Sequence, residues 1–251
     1  MAMVTLKTSK ELAKMRKAGA IAAQALQAGG AAIRPGVTTG EVDRAIKRFI
    51  VSKGAKPSFL GYGGFPGSAC ISVNEEVIHG IPGKRILREG DIVSIDVGAL
   101  YDGYHGDTAA TFAVGAVDTQ AQTLMDATCE SLQAALAVMR VGARIGDIGS
   151  AVQSYVEERG FGVVHEYVGH GVGRNLHEAP EVPNYGRPGH GVRLVAGMVL
   201  AVEPMITQHS PEIRELSDGW TIVTADKGLA AHFEHTIAIT ESGPVILTQP
   251  E

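Results

Sequence analysis

Ile92-Val93-Ser94-Ile95-Asp96-Val97-Gly98-Ala99-Leu100-Tyr101-Asp102-Gly103-Tyr104-His105-Gly106-Asp107-Thr108 reads as a hairpin: two apolar, strand-like runs joined by an Asp-Gly pair. A two-residue loop at Asp102-Gly103 pairs Tyr101 with Tyr104. It thereby sets Asp96 opposite Ala109 and on the same sheet face as Asp107. Two carboxylates that close repel, and an unpartnered charge in such a run is costly to bury. A bound cation is the usual means of keeping both ionised.

Working outward, three more ligand-type residues sit in similar surroundings. Glu203 follows Met198, Val199, Leu200, Ala201 and Val202; Glu234 precedes Thr236, Ile237, Ala238 and Ile239; His170 lies in a glycine-rich stretch. A salt bridge is the ordinary partner for one buried acid, but lysine and arginine are sparse in these runs. Four carboxylates and one imidazole are most simply neutralised by two divalent ions, and Mn²⁺, Fe²⁺, Co²⁺ and Zn²⁺ all suit that donor set. A structural zinc would show cysteines or several histidines instead. Two such ions about 3.5–4 Å apart lower the pKa of water toward about 7 and polarise a carbonyl, which points to hydrolysis. Glu203 is the expected proton carrier. His79, before Gly80-Ile81-Pro82, and His177, before Glu178-Ala179-Pro180, are expected to hydrogen-bond the scissile amide and the developing oxyanion.

Helical spacing runs from Lys10 to Gly29 and from Thr39 to Ser52, followed by strand-like runs at Ala69 to Val73, Ile92 to Leu100 and Thr108 to Val114. A second block repeats this order. A helix capped by Asp118 or Thr119 runs through Val141 and another covers Ile145 to Glu158, with strands at Phe161 to Val168, Met198 to Met205 and Ala230 to Thr240. Arg34, Gly36, Gly40, Glu41 and Val42 are echoed 106 positions later by Arg140, Gly142, Gly146, Asp147 and Ile148. Gly90, Val93 and Asp96 are echoed 107 positions later by Gly197, Leu200 and Glu203. One duplication with helices before strands suits a two-lobed α+β domain, here residues 1–251 with halves of about 10–115 and 118–242.

The 251 residues, 45% of them hydrophobic, suffice for a substantial core. A net charge of −5 with no dense basic block argues against a dedicated nucleic-acid surface. Arg34, Lys47, Arg48, Lys53 and Lys56 are the residues available for a local basic patch, and solvated helix-face charge is their ordinary reading. Cys70 and Cys129 make no disulfide framework, the segment through Leu12 lacks a signal-peptide stretch, and no run has the length of a membrane span. The expected location is the cytoplasm, with no membrane partner.

His79-Gly80-Ile81-Pro82, Asp96-Val97-Gly98, His105-Gly106-Asp107-Thr108, Gly169-His170-Gly171-Val172-Gly173, Glu203-Pro204 and Glu234-His235-Thr236 occur in the order and approximate spacing of the type I bacterial methionine aminopeptidases, and the chain resembles that family over essentially its whole length. The resemblance implies the pita-bread fold, with two pseudo-symmetric ααβ halves around a central antiparallel sheet. It implies that two divalent ions are held, one chelated by Asp96, both bridged by Asp107 and Glu234, and the other bound by His170 and Glu203. It implies His79 and His177 as substrate histidines and a methionine pocket of Phe59, Tyr62, Phe65, Cys70, His79, Leu176, His177 and Trp220. Within that pocket Phe59, Gly63, Phe65 and Leu176 depart from the cysteine, histidine, tyrosine and phenylalanine usual in bacterial relatives. The expected substrates are the N-termini of nascent polypeptides with a small second residue, and Met1-Ala2 fits that pattern itself. The ribosome is a candidate docking partner and a monomer is the expected state.

The same resemblance orders the alternatives. Prolidases and Xaa-Pro aminopeptidases usually add an N-terminal domain, creatinase works without metal, and non-enzymatic binding modules of this fold have lost ligands. A structural metal protein needs no pocket.

Overall fold

The computed structural model describes residues 4–250, so the Met1-Ala2 pair lies outside the described residues. Helix α1 (Ser9–Ala32) starts at Thr8, whose hydroxyl accepts from the Glu11 N–H while Glu11 accepts from the Thr8 N–H. Helix α2 (Thr39–Ser52) opens on the same box, built from Thr38 and Glu41, and buries Val42, Ile46 and Ile50. Helix α3 (Thr119–Val138) is capped by the Asp118 carboxylate, which accepts from the Ala121 N–H. It ends short of the expected Val141, because Met139 turns extended and the Gly142 N–H donates instead to Leu194. Helix α4 (Ile145–Glu157) completes the set.

The predicted hairpin forms between strands Ile92–Tyr101 and Tyr104–Ala113, with Tyr101 opposite Tyr104 and Asp96 opposite Ala109. Asp102 and Gly103 both take positive φ, 48° and 78°, as a tight turn of this hand requires. This hairpin sits in a nine-stranded antiparallel sheet. The strand order is Lys56–Pro57, Ile92–Tyr101, Tyr104–Ala113, Glu234–Thr240, Val199–Val202, Gly169–Gly171, Glu178–Val182, with Cys70–Val73 on Ile92–Tyr101 and Gly243–Ile246 on Glu234–Thr240. The two halves meet where Glu234–Thr240 pairs with Tyr104–Ala113.

The internal repeat extends to backbone detail. Gly36 and Gly142 take φ of 90° and 93°, and Gly90 and Gly197 both take 90°. Thr38 bridges Ile86 as Arg144 bridges Arg193, and the Thr38 N–H donates to Glu41 as the Arg144 N–H donates to Asp147. Each half packs its helices on the same sheet face. Val93, Ile95, Val97 and Ala99 bury against α1 and α2, and Leu200, Val202, Ile237 and Ile239 against α3 and α4. Alternation along the strands turns Asp96 and Asp107 to the opposite face. Where α1 crosses the sheet the backbones nearly touch: a Cβ on Gly106 would lie 2.4 Å from the Gly19 nitrogen.

Three expected strands are interrupted. Of Phe161 to Val168 only Gly162–Val163 pairs, against Met205–Thr207. The run from Met198 divides into Val199–Val202 and Met205–Thr207 at Glu203-Pro204, where proline has no N–H for a ladder. The run from Ala230 divides into Ala230–His232 and Glu234–Thr240 at Phe233. At the first break the chain leaves the large sheet for a three-stranded one, order Ala230–His232, Met205–Thr207, Gly162–Val163, and at the second it returns, so Glu203 and Glu234 sit at the seam. Cys70 and Cys129 are free thiols. Among the described residues, no helix is long and apolar enough to cross a membrane.

Candidate metal centre and substrate cavity

Strand register collects the ligand-type side chains into two adjacent rows on one sheet face. Cys70, Asp96, Ala109 and Glu234 stand opposite one another across four strands. Two positions along, Asp107 faces Gly98 on one side and is tied on the other to Thr236, whose hydroxyl accepts from the Asp107 N–H at 3.0 Å and donates to the Asp107 carbonyl at 2.7 Å. Thr236 stands opposite Ala201, and Ala201 opposite His170. Glu203, following Val202, comes in beside Glu234. The residues between the ligands are small, Gly98, Ala109 and Ala201, and leave room above the sheet.

Atoms of Asp107, His170 and Glu234 lie within 4.8 Å of one another. Glu203 Oε1 is 3.5 Å from His170 Nε2. Asp96 joins through its place in the row, and all five line one cavity. Asp96 Oδ1, Asp107 Oδ1 and Glu234 Oε1 are buried without a hydrogen-bond partner. Burial, then repulsion among the carboxylates, raises Asp96, Glu203 and Glu234 well above the ordinary carboxylate range, while burial brings Asp107 to about 7. His170 Nδ1 is 2.9 Å from the Gly171 carbonyl, which can only accept, so that nitrogen carries the proton and Nε2 presents a lone pair. Burial lowers the His170 pKa to about 4. A lone pair facing a carboxylate, beside unsatisfied acid oxygens, is the donor arrangement of a divalent cation site.

The cavity, about 360 Å³, continues from these ligands into an apolar end. Phe59, Phe65, Cys70 and Leu176 are buried together there, with Trp220 and Ile81 packed against them, and Phe65 meets Trp220 edge-on at 5.1 Å. His79 and His177 stand at the boundary. His79 holds φ at +58°, a strained setting for a non-glycine residue, with its ring edge-on to Tyr167 and Trp220. His177 Nδ1 lies 2.8 Å from the Tyr62 hydroxyl, and its ring centroid is 4.1 Å from that of His170. Burial lowers both histidines, His79 to about 4, so both are neutral at pH 7. Every site residue expected from the sequence lines this cavity.

Sequence reasoning missed Glu166, Tyr167 and Val168, which line the cavity from a segment read as strand. It also missed His232, buried with Nε2 3.6 Å from Glu203 Oε2. The only available signal for His232 was a histidine two positions before Glu234.

The sequence matches metallopeptidase family M24 over residues 13–241. It is 52% identical to methionine aminopeptidase 1 of Bacillus subtilis, across 98% of this chain and 100% of that one. The crystal structure of a methionine aminopeptidase from Thermotoga maritima superposes with a TM-score of 0.97 at 48% identity, covering 98% of this chain and 100% of that one. A prolidase from Pyrococcus furiosus shares the fold at a TM-score of 0.80 and 26% identity, with 98% of this chain covering only 66% of it. The chain belongs to the methionine aminopeptidases of metallopeptidase family M24.

Proposed function

We infer that this chain, as one catalytic unit, hydrolyses the bond after an N-terminal methionine when the next residue is small, acting on nascent polypeptides in the cytoplasm. The observation that carries this reading is the junction of two ligand rows with an apolar cavity of about 360 Å³, bordered by two neutral histidines. The donor set fits two divalent ions, of which Asp96 would hold one and His170 with Glu203 the other, with Asp107 and Glu234 available to both. Cobalt, manganese, iron and zinc all suit this set. When bound, such a pair supplies an acidified water and polarises the scissile carbonyl.

The protein groups do the rest. Phe59, Phe65, Cys70, Leu176 and Trp220 enclose the unbranched thioether side chain and exclude water. The free amine is held at the Asp96 end, which confines cleavage to the terminal residue. The Glu203 carboxylate takes a proton from the attacking water and delivers it to the leaving amine. His79 and His177 donate N–H bonds to the scissile amide and to the developing oxyanion. For His177 to donate from Nε2, its Nδ1, 2.8 Å from the Tyr62 hydroxyl, accepts from that hydroxyl. The chain is proposed to act as a monomer. The ribosome is the natural place of encounter, with the exposed Arg34, Lys47, Arg48, Lys53 and Lys56 available to face it.

Release of free methionine from Met-Ala-Ser, Met-Leu-Ser and Leu-Ala-Ser, by chelated enzyme with and without Mn²⁺ or Co²⁺, tests the reading. Metal-dependent cleavage of Met-Ala-Ser alone is expected. Cleavage of all three indicates a relaxed aminopeptidase, and no cleavage with bound metal indicates a binding module.

A further inference from the structure

Glu203 is gripped by two residues outside the ligand set. Asn184, fully buried, donates Nδ2–H to the Glu203 carbonyl at 2.9 Å. His232, 1% exposed, places Nε2 3.6 Å from Glu203 Oε2, while the other oxygen, Oε1, lies 3.5 Å from His170 Nε2. The carboxylate therefore has an imidazole at each oxygen, and the two imidazoles are not equivalent. His170 has its proton committed to the Gly171 carbonyl and offers a lone pair. His232 Nε2 is buried with no hydrogen-bond partner, and Glu203 is within reach of it. Ordinary N–H···O bonds span about 2.7–3.2 Å, so a side-chain shift of under about 1 Å closes this one. The His232 backbone is fixed, its N–H donating to the Thr111 hydroxyl at 2.9 Å and its carbonyl accepting from that hydroxyl at 3.0 Å.

We propose that His232 is a positioning residue for Glu203, its Nε2–H donating to Oε2 so that Oε1 stays turned toward His170 and the carboxylate rows. The proposal rests on the reading of Glu203 as ligand and proton carrier. It assigns opposite tautomers to two imidazoles on one carboxylate, with the proton on Nδ1 in His170 and on Nε2 in His232. His232 then acts as a ligand-orienting neighbour of the kind that fixes rotamer and basicity without touching metal or substrate.

The test is ¹⁵N NMR of the full chain, histidine-labelled, chelated and Zn²⁺-loaded, with His232 assigned by the signal lost in His232→Gln. A protonated Nε2 and bare Nδ1 on His232 are expected, and the reverse tautomer overturns the proposal. Alongside it, His232→Leu is expected to lower kcat on Met-Ala-Ser and Zn²⁺ affinity, at least one of them by about 10–100-fold, with KM little changed. His232→Gln, which keeps a donor, is expected to recover most of that loss. A leucine variant equal to wild type, or a glutamine variant no better than leucine, overturns the proposal. If the leucine variant does not fold, the wild-type tautomer decides. Near-normal activity of Glu203→Gln would instead remove the assigned role of Glu203, which the tautomer measurement does not depend on.

Discussion

Charge is the governing quantity at the scale of the residue. Glu203→Gln keeps the shape of the side chain and removes its basicity, so kcat should fall by about 10²-fold or more with the fold intact. A variant of near-normal activity takes Glu203 out of the mechanism. His79→Ala should slow turnover by about 10²-fold while metal content is retained, and loss of metal would show that His79 had been misassigned. The raised carboxylates also predict a pH dependence for chelated protein. Unfolded carboxylates ionise near about pH 4 and unfolded histidines are neutral above about 6.5. Above that point the folded state alone keeps extra protons, on Asp107 at about 7 and on Asp96, Glu203 and Glu234, which burial and mutual repulsion hold well above the ordinary carboxylate range. Stability must then fall as pH rises. The Tm of chelated protein should drop from about pH 6.5 to about 8.5, and saturating Mn²⁺ should flatten the profile; a flat profile in chelator contradicts the charge assignment. The ligands were legible because a charge inside an apolar run demands a partner. His232 was not, because its neighbours Ala230, Ala231 and Phe233 give no hint that Glu203, remote in sequence, is what it faces.

Elements explain how these residues arrive together. The Asp102-Gly103 turn sets the register of the central hairpin, and with it the shared face of Asp96 and Asp107. That much follows from a period of two and a turn type. The seam does not, because an apolar run such as Met198 to Met205 has the same pattern whether it stays in one sheet or crosses between two. Pro204 was the visible mark of the crossing, and Phe233, its counterpart, carries none. Two substitutions test the packing. Thr38→Ala removes one capping box whose residues do not line the cavity and should cost about 1 kcal/mol in urea unfolding with kcat unchanged. Gly106→Val drives a side chain into the α1 backbone at Gly19 and should cost about 1–3 kcal/mol or more; an unchanged denaturation midpoint would refute that close approach.

For the whole molecule, duplication and site are one feature. The first half contributes Asp96 and Asp107 and the second His170, Glu203 and Glu234, so neither half holds the donor set alone. The echo of Asp96 by Glu203 made this arrangement readable, but the meeting of Glu234–Thr240 with Tyr104–Ala113 could only come from the structure. The most direct test is metal stoichiometry against activity. Chelated protein is titrated with Mn²⁺ or Co²⁺, with bound ions counted by calorimetry and methionine release followed on Met-Ala-Ser. Two ions per chain are predicted, with activity absent before titration and restored during it, and with both ion sites weakened in Asp107→Asn. Full activity after exhaustive chelation, or no stoichiometric binding, would contradict the account.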